Sequence, residues 1–267
     1  MKKIKFGCHN FLNSKPILIP LIEKNIRNLE IIQESPAVLA SLLRRKKLDL
    51  SFVPSIEYAK NSDYLLVNNI SISSLGAVNT VLLTSKTKME DIKTVAADNR
   101  SLSSIVLLKV LFKEKFNRLP FFSHTEPDYE KMLSTNDAAL IIGDNTFSFE
   151  RTGKIIHDLS QEWFQLTGKP FVHALLCVRK EVELDQNIIK TILKSRDEGL
   201  ASIEQISKDE ARTLGITKEK CADYLKYKIR YTLGNAEQEG LKEFFSLAFS
   251  HGFIKSKPKL NFIGDDN

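Results

Sequence analysis

Short apolar runs alternate with helical periods along most of the chain. The apolar runs predict eight strands, at residues 4–8, 29–33, 48–53, 64–67, 79–84, 94–97, 138–142 and 171–178. Several runs are apolar throughout, which is typical of strands covered on both faces. The alternation of such strands with helices predicts an α/β fold with mainly parallel sheets.

Polar residues mark the starts of several predicted helices. Ser35 followed by Pro36 is a typical cap and first turn, and an apolar stripe follows them. A serine-rich start precedes the helical period at residues 101–116, and Thr217 can cap a later helix. From Asp185 onward the period is almost entirely helical, so this tail must cover a sheet to bury its apolar faces.

Clusters of polar residues follow five of the predicted strands, at residues 9–16, 54–58, 71–74, 98–104 and 143–147. The carboxyl ends of strands are where open α/β sheets bind ligands, so five clusters predict one shared site. The residues are mostly Ser, Asn, Thr and Gly, and several begin helices. Free backbone N–H groups and hydroxyls at a helix start bind anions, which favours a small carboxylated or phosphorylated ligand.

The composition of the 267-residue chain fits an ordinary globular protein, with 42% hydrophobic and 27% charged residues. The net charge is +6, but the only tight basic run, at residues 44–47, is typical of a solvated helix end. We therefore expect neither a nucleic-acid partner nor a membrane partner. The N-terminal residues lack the apolar stretch of a signal peptide, so we expect a cytoplasmic protein.

Residues that commonly hold metals or act as nucleophiles are scattered. Cys8, Cys177 and Cys221 lie far apart in apolar surroundings, which predicts reduced core residues. Histidine and cysteine motifs with metal-ligand spacing are missing, so we expect no metal and no cofactor. His9, Glu57 and Asp144 are weak candidates for acid or base groups. These patterns alone predict a two-lobed α/β protein that binds a small anion.

Several short sequence motifs, in a fixed order along the chain, give a more specific resemblance to a known family. They are FLNSKP at residues 11–16, SPAVL at 35–39, SIEYA at 55–59, SISS at 71–74, GAVNTV at 76–81, IGD at 142–144 and EWFQLTGKPFV at 162–172. In this order, over residues 4–253, the chain resembles the chorismate dehydratases of the futalosine route to menaquinone. The chain departs from the family pattern at Phe11, Ala77 and Thr80, where tyrosine, proline and serine are usual. Threonine keeps the hydroxyl, while its methyl group narrows the site.

The resemblance implies a type 2 periplasmic-binding-protein-like fold with the ligand cleft between two lobes. Lobe one would comprise residues 1–84 and 178–267, and lobe two residues 85–177, with the runs at 79–84 and 171–178 crossing between them. The helical tail would cover lobe one.

The resemblance also implies the reaction, loss of water from chorismate to give 3-[(1-carboxyvinyl)oxy]benzoate. The product is aromatic, so orientation and a carboxylate of the substrate as base would suffice, without a cofactor. The implied catalytic residues are Asn13 and Thr80. The implied substrate-binding residues are Ser14, Ser55, Asn79, Ser103, Ser104, Gly143, Asp144 and Thr146.

Two alternatives to this function remain at the level of sequence. The first is the 1,4-dihydroxy-6-naphthoate synthase of the same pathway, which would carry a P-C-P-N-D-type loop in place of HNFLNSKP at residues 9–16. The second is a non-catalytic protein that binds a small anion, because a fold alone does not decide function. The oligomeric state is left open.

Overall fold

Two five-stranded sheets organise the computed structural model, which describes residues 3–149 and 152–264. The strands are β1 (Ile4–Cys8), β2 (Leu29–Gln33), β3 (Leu50–Pro54), β4 (Tyr64–Ser74), β5 (Val81–Ser85), β6 (Thr94–Asp98), β7 (Phe121–Thr125), β8 (Ala138–Ile142), β9 (Ile155–Asp158) and β10 (Phe171–Arg179). The first sheet has the order β2-β1-β3-β10-β4, and the second has the order β7-β6-β8-β5-β9. The α/β prediction is confirmed.

The helices lie between and around these strands. They are α1 (Lys15–Glu23), α2 (Pro36–Arg44), α3 (Ser55–Lys60), α4 (Leu102–Phe116), α5 (Tyr129–Thr135), α6 (Leu159–Thr167), α7 (Gln186–Ala201), α8 (Ile203–Leu214), α9 (Lys218–Asp223) and α10 (Asn235–Ser250). Short 3-10 turns span Leu12–Ser14, Met89–Asp91 and Gly143–Phe147, and a π-helical turn spans Tyr224–Lys228. Ser35 and Thr217 cap α2 and α9 as predicted, each accepting a backbone N–H three residues on.

The prediction of mainly parallel sheets was wrong. β1 runs parallel to β2 and β3, and β6 runs parallel to β7 and β8, whereas β10 and β5 run antiparallel to their neighbours. Each sheet therefore combines three mutually parallel strands with two further strands whose pairings are antiparallel. The path of the chain explains the antiparallel strands. β5 and β10 each follow a strand of the other sheet, so neither is joined to its own sheet by the right-handed crossover that connects parallel strands.

The strand predictions failed mainly at the sheet edges. β7 and β9 were not predicted, since edge strands are covered less completely and these two carry polar or exposed residues. The four residues 71–74 are not a loop after a strand, because β4 continues through them. Their serines are accommodated inside the sheet: Ser71 Oγ donates to the Thr232 carbonyl at 2.6 Å, and Ser73 Oγ donates to the Arg230 carbonyl at 3.3 Å.

The helical tail covers the first sheet, as the pattern predicted. α7 packs on α1, and α10 packs on β10 and also contacts α4. The approach of α7 to α1 is close enough that a Cβ on Gly199 would lie 1.8 Å from the Pro16 carbonyl oxygen. This tight contact fixes the start of α1, and therefore the turn Leu12–Ser14 that precedes it. The three cysteines are buried and unpaired, as predicted.

We propose that each sheet with its covering helices forms one lobe. The chain passes from the first sheet to the second between β4 and β5, and it returns between β9 and β10. β5 pairs only with strands of the second sheet, and β10 pairs only with strands of the first. On this basis the lobe boundaries lie near residues 75–80 and 159–170, which leaves both strands whole.

Candidate functional site

A cleft of about 580 Å³, measured with its open mouth, lies between residues of the two sheets. The first sheet and its connections contribute His9, Asn13, Pro54 and His173, and the second contributes Thr80, Arg100, Ser103 and Gly143. Five predicted site residues therefore line one cleft: Asn13, Thr80, Ser103, Ser104 and Gly143. Four of them come from three separate polar clusters and Thr80 from the predicted strand at residues 79–84, so the fold brings together residues that are far apart in the sequence.

The N-terminus of α4 opens into this cleft. Its N-cap residue, Ser101, makes no side-chain capping hydrogen bond, and its buried Oγ has no partner in the described chain. Leu102, Ser103 and Ser104 form the first turn and line the cleft. Unpartnered N–H groups and the helix dipole make such a terminus attractive to an anion. The start of α4 is therefore the part of the cleft that is suited to bind an anion.

Ser103 also connects α4 to the start of α3 by hydrogen bonds. Its Oγ accepts the Ile56 N–H at 3.1 Å and lies 3.2 Å from the Ser55 Oγ. Ser55 is fully buried behind Ser103 and does not line the cleft. Ser55 therefore acts on the site through Ser103, as a hydrogen-bonding neighbour.

Arg100 is a cationic residue on the cleft wall that the sequence analysis passed over. Its Nε and Nη2 donate to the carboxylate of Asp98 at 2.9 Å and 2.6 Å, and Asp98 is completely buried. This paired geometry holds the guanidinium in place and raises the pKa of Arg100. The Arg100 Cζ lies 5.8 Å from the centre of the Phe11 ring. A fixed guanidinium beside the start of α4 suits a carboxylate ligand.

Asn13 and Thr80 face the cleft from opposite lobes. The Oδ1 of Asn13 is buried and has no hydrogen-bond partner in the described part of the chain. The Thr80 Oγ1 lies 3.0 Å from the hydroxyl of Tyr224, which comes from the helical tail. An unpaired buried acceptor costs free energy unless a ligand supplies the donor. The Asn13 amide oxygen is therefore suited to accept a hydrogen bond from a ligand hydroxyl.

The two lobes meet directly beside this pair. The Leu12 N–H donates to both carboxylate oxygens of Asp144 at 3.0 Å. Gly143 has a φ of +70°, and a Cβ there would lie 3.1 Å from the Phe11 ring. The turn that carries Gly143 and Asp144 thus lies at one end of the cleft, where Gly143 lines it and Asp144 does not.

The remaining predicted site residues lie behind the cleft surface. Ser14 Oγ donates to the Phe11 carbonyl at 2.8 Å, and Thr146 Oγ1 donates to the Gly143 carbonyl at 2.8 Å. Asn79 has a left-handed backbone with φ of +66°, and its N–H donates to Asp158 at 2.6 Å. The structure therefore places these three residues in the turns that support the cleft walls.

Asp144 is expected to give the free energy of unfolding a measurable pH dependence. Burial raises its pKa from 3.8 to about 6, so the folded protein binds this proton more tightly than the unfolded chain. Its contribution is therefore fully present below pH 3.8 and is lost as the pH rises toward 6. In Asp144→Asn, whose amide stays neutral and still accepts from Leu12, we expect stability relative to wild type to improve by about 2–3 kcal/mol between these pH values. Urea unfolding at a series of pH values measures the difference.

Parallel pH profiles for the wild type and Asp144→Asn would contradict this pKa. Asp137→Asn is a suitable comparison, because hydrogen bonds from Lys93 and Thr94 lower the pKa of Asp137. Its expected effect on the pH profile has the opposite sign.

Two histidines line the cleft and are neutral at ordinary pH. Burial lowers the pKa of both His9 and His173 to about 4. His9 Nδ1 has no partner in the described chain, and His173 Nε2 lies 2.9 Å from Ser74 Oγ. Both imidazoles are weak bases, so neither stands out as a strong proton acceptor.

Three residues in or beside the cleft were not predicted from the sequence, and they differ in how clearly the sequence marks them. Arg100 stands inside the polar cluster at residues 98–104, so its cation was a usable signal. His173 lies within an apolar strand and Tyr224 within a helical period, where nothing in the pattern distinguishes them from core residues.

Over residues 3–149 and 152–264, no group of three His, Cys, Asp or Glu side chains is arranged to hold a metal ion. Within the same ranges, no helix has the length and apolar character needed to cross a membrane.

Comparisons with known proteins agree on family and fold. The model of a family described as menaquinone biosynthesis matches residues 4–250. A chorismate dehydratase from Thermus thermophilus is 31% identical over 262 residues, which cover 91% of this chain and 94% of that protein.

Solved structures with the same architecture include periplasmic binding proteins. Protein AF1704 from Archaeoglobus fulgidus aligns with a TM-score of 0.75 and 16% identity, over 94% of this chain and 98% of its own. The periplasmic aliphatic sulphonate binding protein SsuA from Escherichia coli aligns with a TM-score of 0.64 and 17% identity, over 97% and 96%. The predicted periplasmic-binding-protein-like fold is confirmed.

Proposed function

The chain belongs to the menaquinone biosynthesis family, and from this membership we propose that it is a chorismate dehydratase of the futalosine route. The reaction converts chorismate to 3-[(1-carboxyvinyl)oxy]benzoate and water. The observation that carries the proposal is the cleft itself, in which an uncapped helix start lies across from an unpartnered amide oxygen. Chorismate has carboxylates for the first feature and a ring hydroxyl for the second.

Substrate binding is assigned to the start of α4 and to Arg100. Backbone N–H groups of its first turn, with the hydroxyls of Ser103 and Ser104, would hold one carboxylate of chorismate. The guanidinium of Arg100, held by Asp98, would contact the same carboxylate. This arrangement fixes one end of the substrate and leaves its ring toward Asn13 and Thr80.

The chemical step needs few titratable protein groups. A ring C–H bond breaks and its electron pair forms the new double bond, while the neighbouring C–O bond breaks and the hydroxyl leaves as water after taking a proton. Because the product ring is aromatic, the step is strongly downhill, and orientation supplies much of the rate. We assign proton removal to a carboxylate of the substrate, because it is ionised at ordinary pH and belongs to the same molecule as the ring, so the transfer is intramolecular.

Asn13 and Thr80 are assigned to the leaving hydroxyl and its surroundings. The Asn13 Oδ1 would accept a hydrogen bond from the ring hydroxyl and fix the C–O bond for elimination. Thr80 would donate from the other lobe. Cleft residues from both lobes would then surround the ring, and closing of the lobes would exclude water.

Incubation of the purified full-length chain with chorismate, followed by mass spectrometry, tests this function. We expect chorismate to disappear and a product lighter by one water to accumulate, with the ultraviolet absorbance of a substituted benzoate. Binding without turnover, measured by calorimetry, would favour the small-anion-binding alternative. Failure to bind or convert chorismate would overturn the proposal.

A further inference from the structure

His9 is a cleft residue to which the proposed function assigns no role. It follows the last residue of β1, lines the cleft and is only 4% exposed. Its Nδ1 is buried without a partner in the described chain, and burial is the only cause that lowers the pKa of the ring to about 4. The imidazole is therefore neutral at ordinary pH, and neither of its nitrogens bonds to a described residue.

The backbone of His9 is held in place, although its ring has no polar partner. The His9 carbonyl accepts hydrogen bonds from the hydroxyl of Ser14 and, at 3.7 Å, from the thiol of Cys8. The Ser14 N–H donates to the Phe11 carbonyl at 3.0 Å, and the Phe11 ring lies 5.2 Å from the imidazole, measured between centres. This compact turn places His9 and Asn13 in the part of the cleft wall that follows β1.

The unpaired ring leaves two hydrogen-bonding groups for a ligand. A neutral imidazole has one N–H donor and one acceptor nitrogen, whichever tautomer is present. His173, the other histidine of the cleft, already has a partner, because its Nε2 lies 2.9 Å from the Ser74 Oγ. A buried polar group without a partner destabilises the folded protein unless a ligand supplies the partner. His9 is therefore available to bind a ligand.

The proposed substrate places acceptor oxygens on this side of the cleft. In chorismate the ring carboxylate and the hydroxyl lie on opposite carbons of the ring, and the carboxyvinyl ether side chain lies on the carbon next to the hydroxyl. With the ring carboxylate at the start of α4 and the hydroxyl at Asn13, the side chain lies on the Asn13 side. Its ether and carboxylate oxygens are acceptors, so they pair with the N–H of His9.

We propose that His9 is a further substrate-binding residue, whose ring N–H donates a hydrogen bond to an oxygen of the carboxyvinyl ether side chain. This inference rests on the proposed function and extends it to the recognition of that side chain. A neutral donor suits the place, because a cation there would lower the basicity of the side-chain carboxylate. His9 thus helps to position the carboxylate that is free to remove the ring proton.

Binding of the reaction product tests this contact without turnover. The product, 3-[(1-carboxyvinyl)oxy]benzoate, keeps the side chain and the ring carboxylate, whereas benzoate keeps only the ring carboxylate. His9→Phe removes both nitrogens and keeps a planar ring against Phe11. We expect its Kd for the product, measured by calorimetry, to rise about 10-fold, and its Kd for benzoate to change by less than about twofold. An equal loss for both ligands, or an unchanged Kd for the product, would overturn the inference.

A ligand-free measurement separates a binding role from a structural one. Because the His9 ring makes no hydrogen bond to the described residues, His9→Phe should leave the thermal unfolding midpoint unchanged or raise it. His157→Phe is the matched control, since its Nε2 is also buried without a partner in the described chain, but its Nδ1 lies 3.0 Å from Glu162 and it does not line the cleft. We expect this control to unfold at a lower temperature and to bind the product like wild type. A midpoint that falls as far in His9→Phe would assign the ring a structural role and overturn the inference.

Two smaller substitutions test the hydrogen bond itself. His9→Asn returns an amide N–H near the position of Nδ1, and His9→Gln returns one near the position of Nε2. One of the two should bind the product within about threefold of wild type, and loss of affinity in both would overturn the hydrogen bond. Failure of the proposed function gives a different result, because the wild type itself would then neither bind the product nor convert chorismate. A wild type that converts chorismate, with His9→Phe retaining its affinity for the product, would overturn this inference alone.

Discussion

Replacing Asn13 by alanine is expected to lower kcat for chorismate by about 100- to 1,000-fold, the range seen when one oriented polar group of an active site is removed. The Asn13 Oδ1 is a buried acceptor without a partner among the described residues, so in the proposed reaction it holds the leaving hydroxyl. A methyl group cannot accept that hydrogen bond. KM should change by less than about tenfold, because the carboxylate site at the start of α4 is intact. Steady-state kinetics with chorismate measures both constants.

Asn61→Ala is the matched control for this variant. Asn61 also carries an amide that bonds within the protein, donating to the Glu57 carbonyl at 3.1 Å and to its carboxylate at 2.8 Å. It ends α3 and does not line the cleft, so we expect its turnover to remain near wild type. An Asn13→Ala enzyme with near wild-type kcat would remove Asn13 from the mechanism.

Replacing Arg100 by alanine is expected to raise KM for chorismate by about 100-fold or more and to destabilise the protein by about 3 kcal/mol. Two effects combine. The substrate carboxylate loses a guanidinium, and the fully buried Asp98 is left as an unpaired negative charge near the anion site. Chorismate kinetics measures the first effect, and urea unfolding measures the second.

A second substitution distinguishes direct binding from charge balance. In the double variant Asp98→Asn with Arg100→Ala the buried charge is gone, so stability should recover while KM stays high. A double variant with wild-type KM would show that Arg100 only neutralises Asp98. Arg44→Ala is the control, because Arg44 pairs with the buried Glu57 at 2.9 Å and 3.2 Å but does not line the cleft. Its loss should lower stability and leave KM unchanged.

The parts of the fold that the sequence predicted are those with strong local periodicity. β1, β2 and β8 have the predicted bounds. β8 is a continuous apolar run and is buried throughout, as expected of a strand covered on both faces, whereas β2 was found from its three apolar residues although it is an edge strand. β7 and β9 lack such runs because they form the two edges of the second sheet. β4 continued through its serines because partner carbonyls at Arg230 and Thr232, far along the chain, accept their hydroxyls.

The sequence indicated what type of ligand the candidate site suits. It was less successful in predicting which residues line the cleft. The polar cluster at residues 98–104 predicted an anion site, and the structure places the first turn of α4, which begins in this cluster, in the cleft wall. Ser14 and Thr146 come from such clusters too, but their hydroxyls bond backbone carbonyls of their own turns. A polar side chain after a strand can serve either the turn or the ligand, and only the direction of the side chain separates the two uses.

By itself, the sequence determined the α/β alternation, the helical tail and the presence of hydroxyl-rich helix starts, because each depends on residues close together along the chain. The tertiary structure decided which of those residues share a cleft. It placed the Tyr224 hydroxyl against Thr80, 144 positions away, and Leu12 against Asp144, 132 positions away. Such contacts depend on how two sheets and a tail pack against each other, and no local pattern of apolar and polar residues encodes that packing.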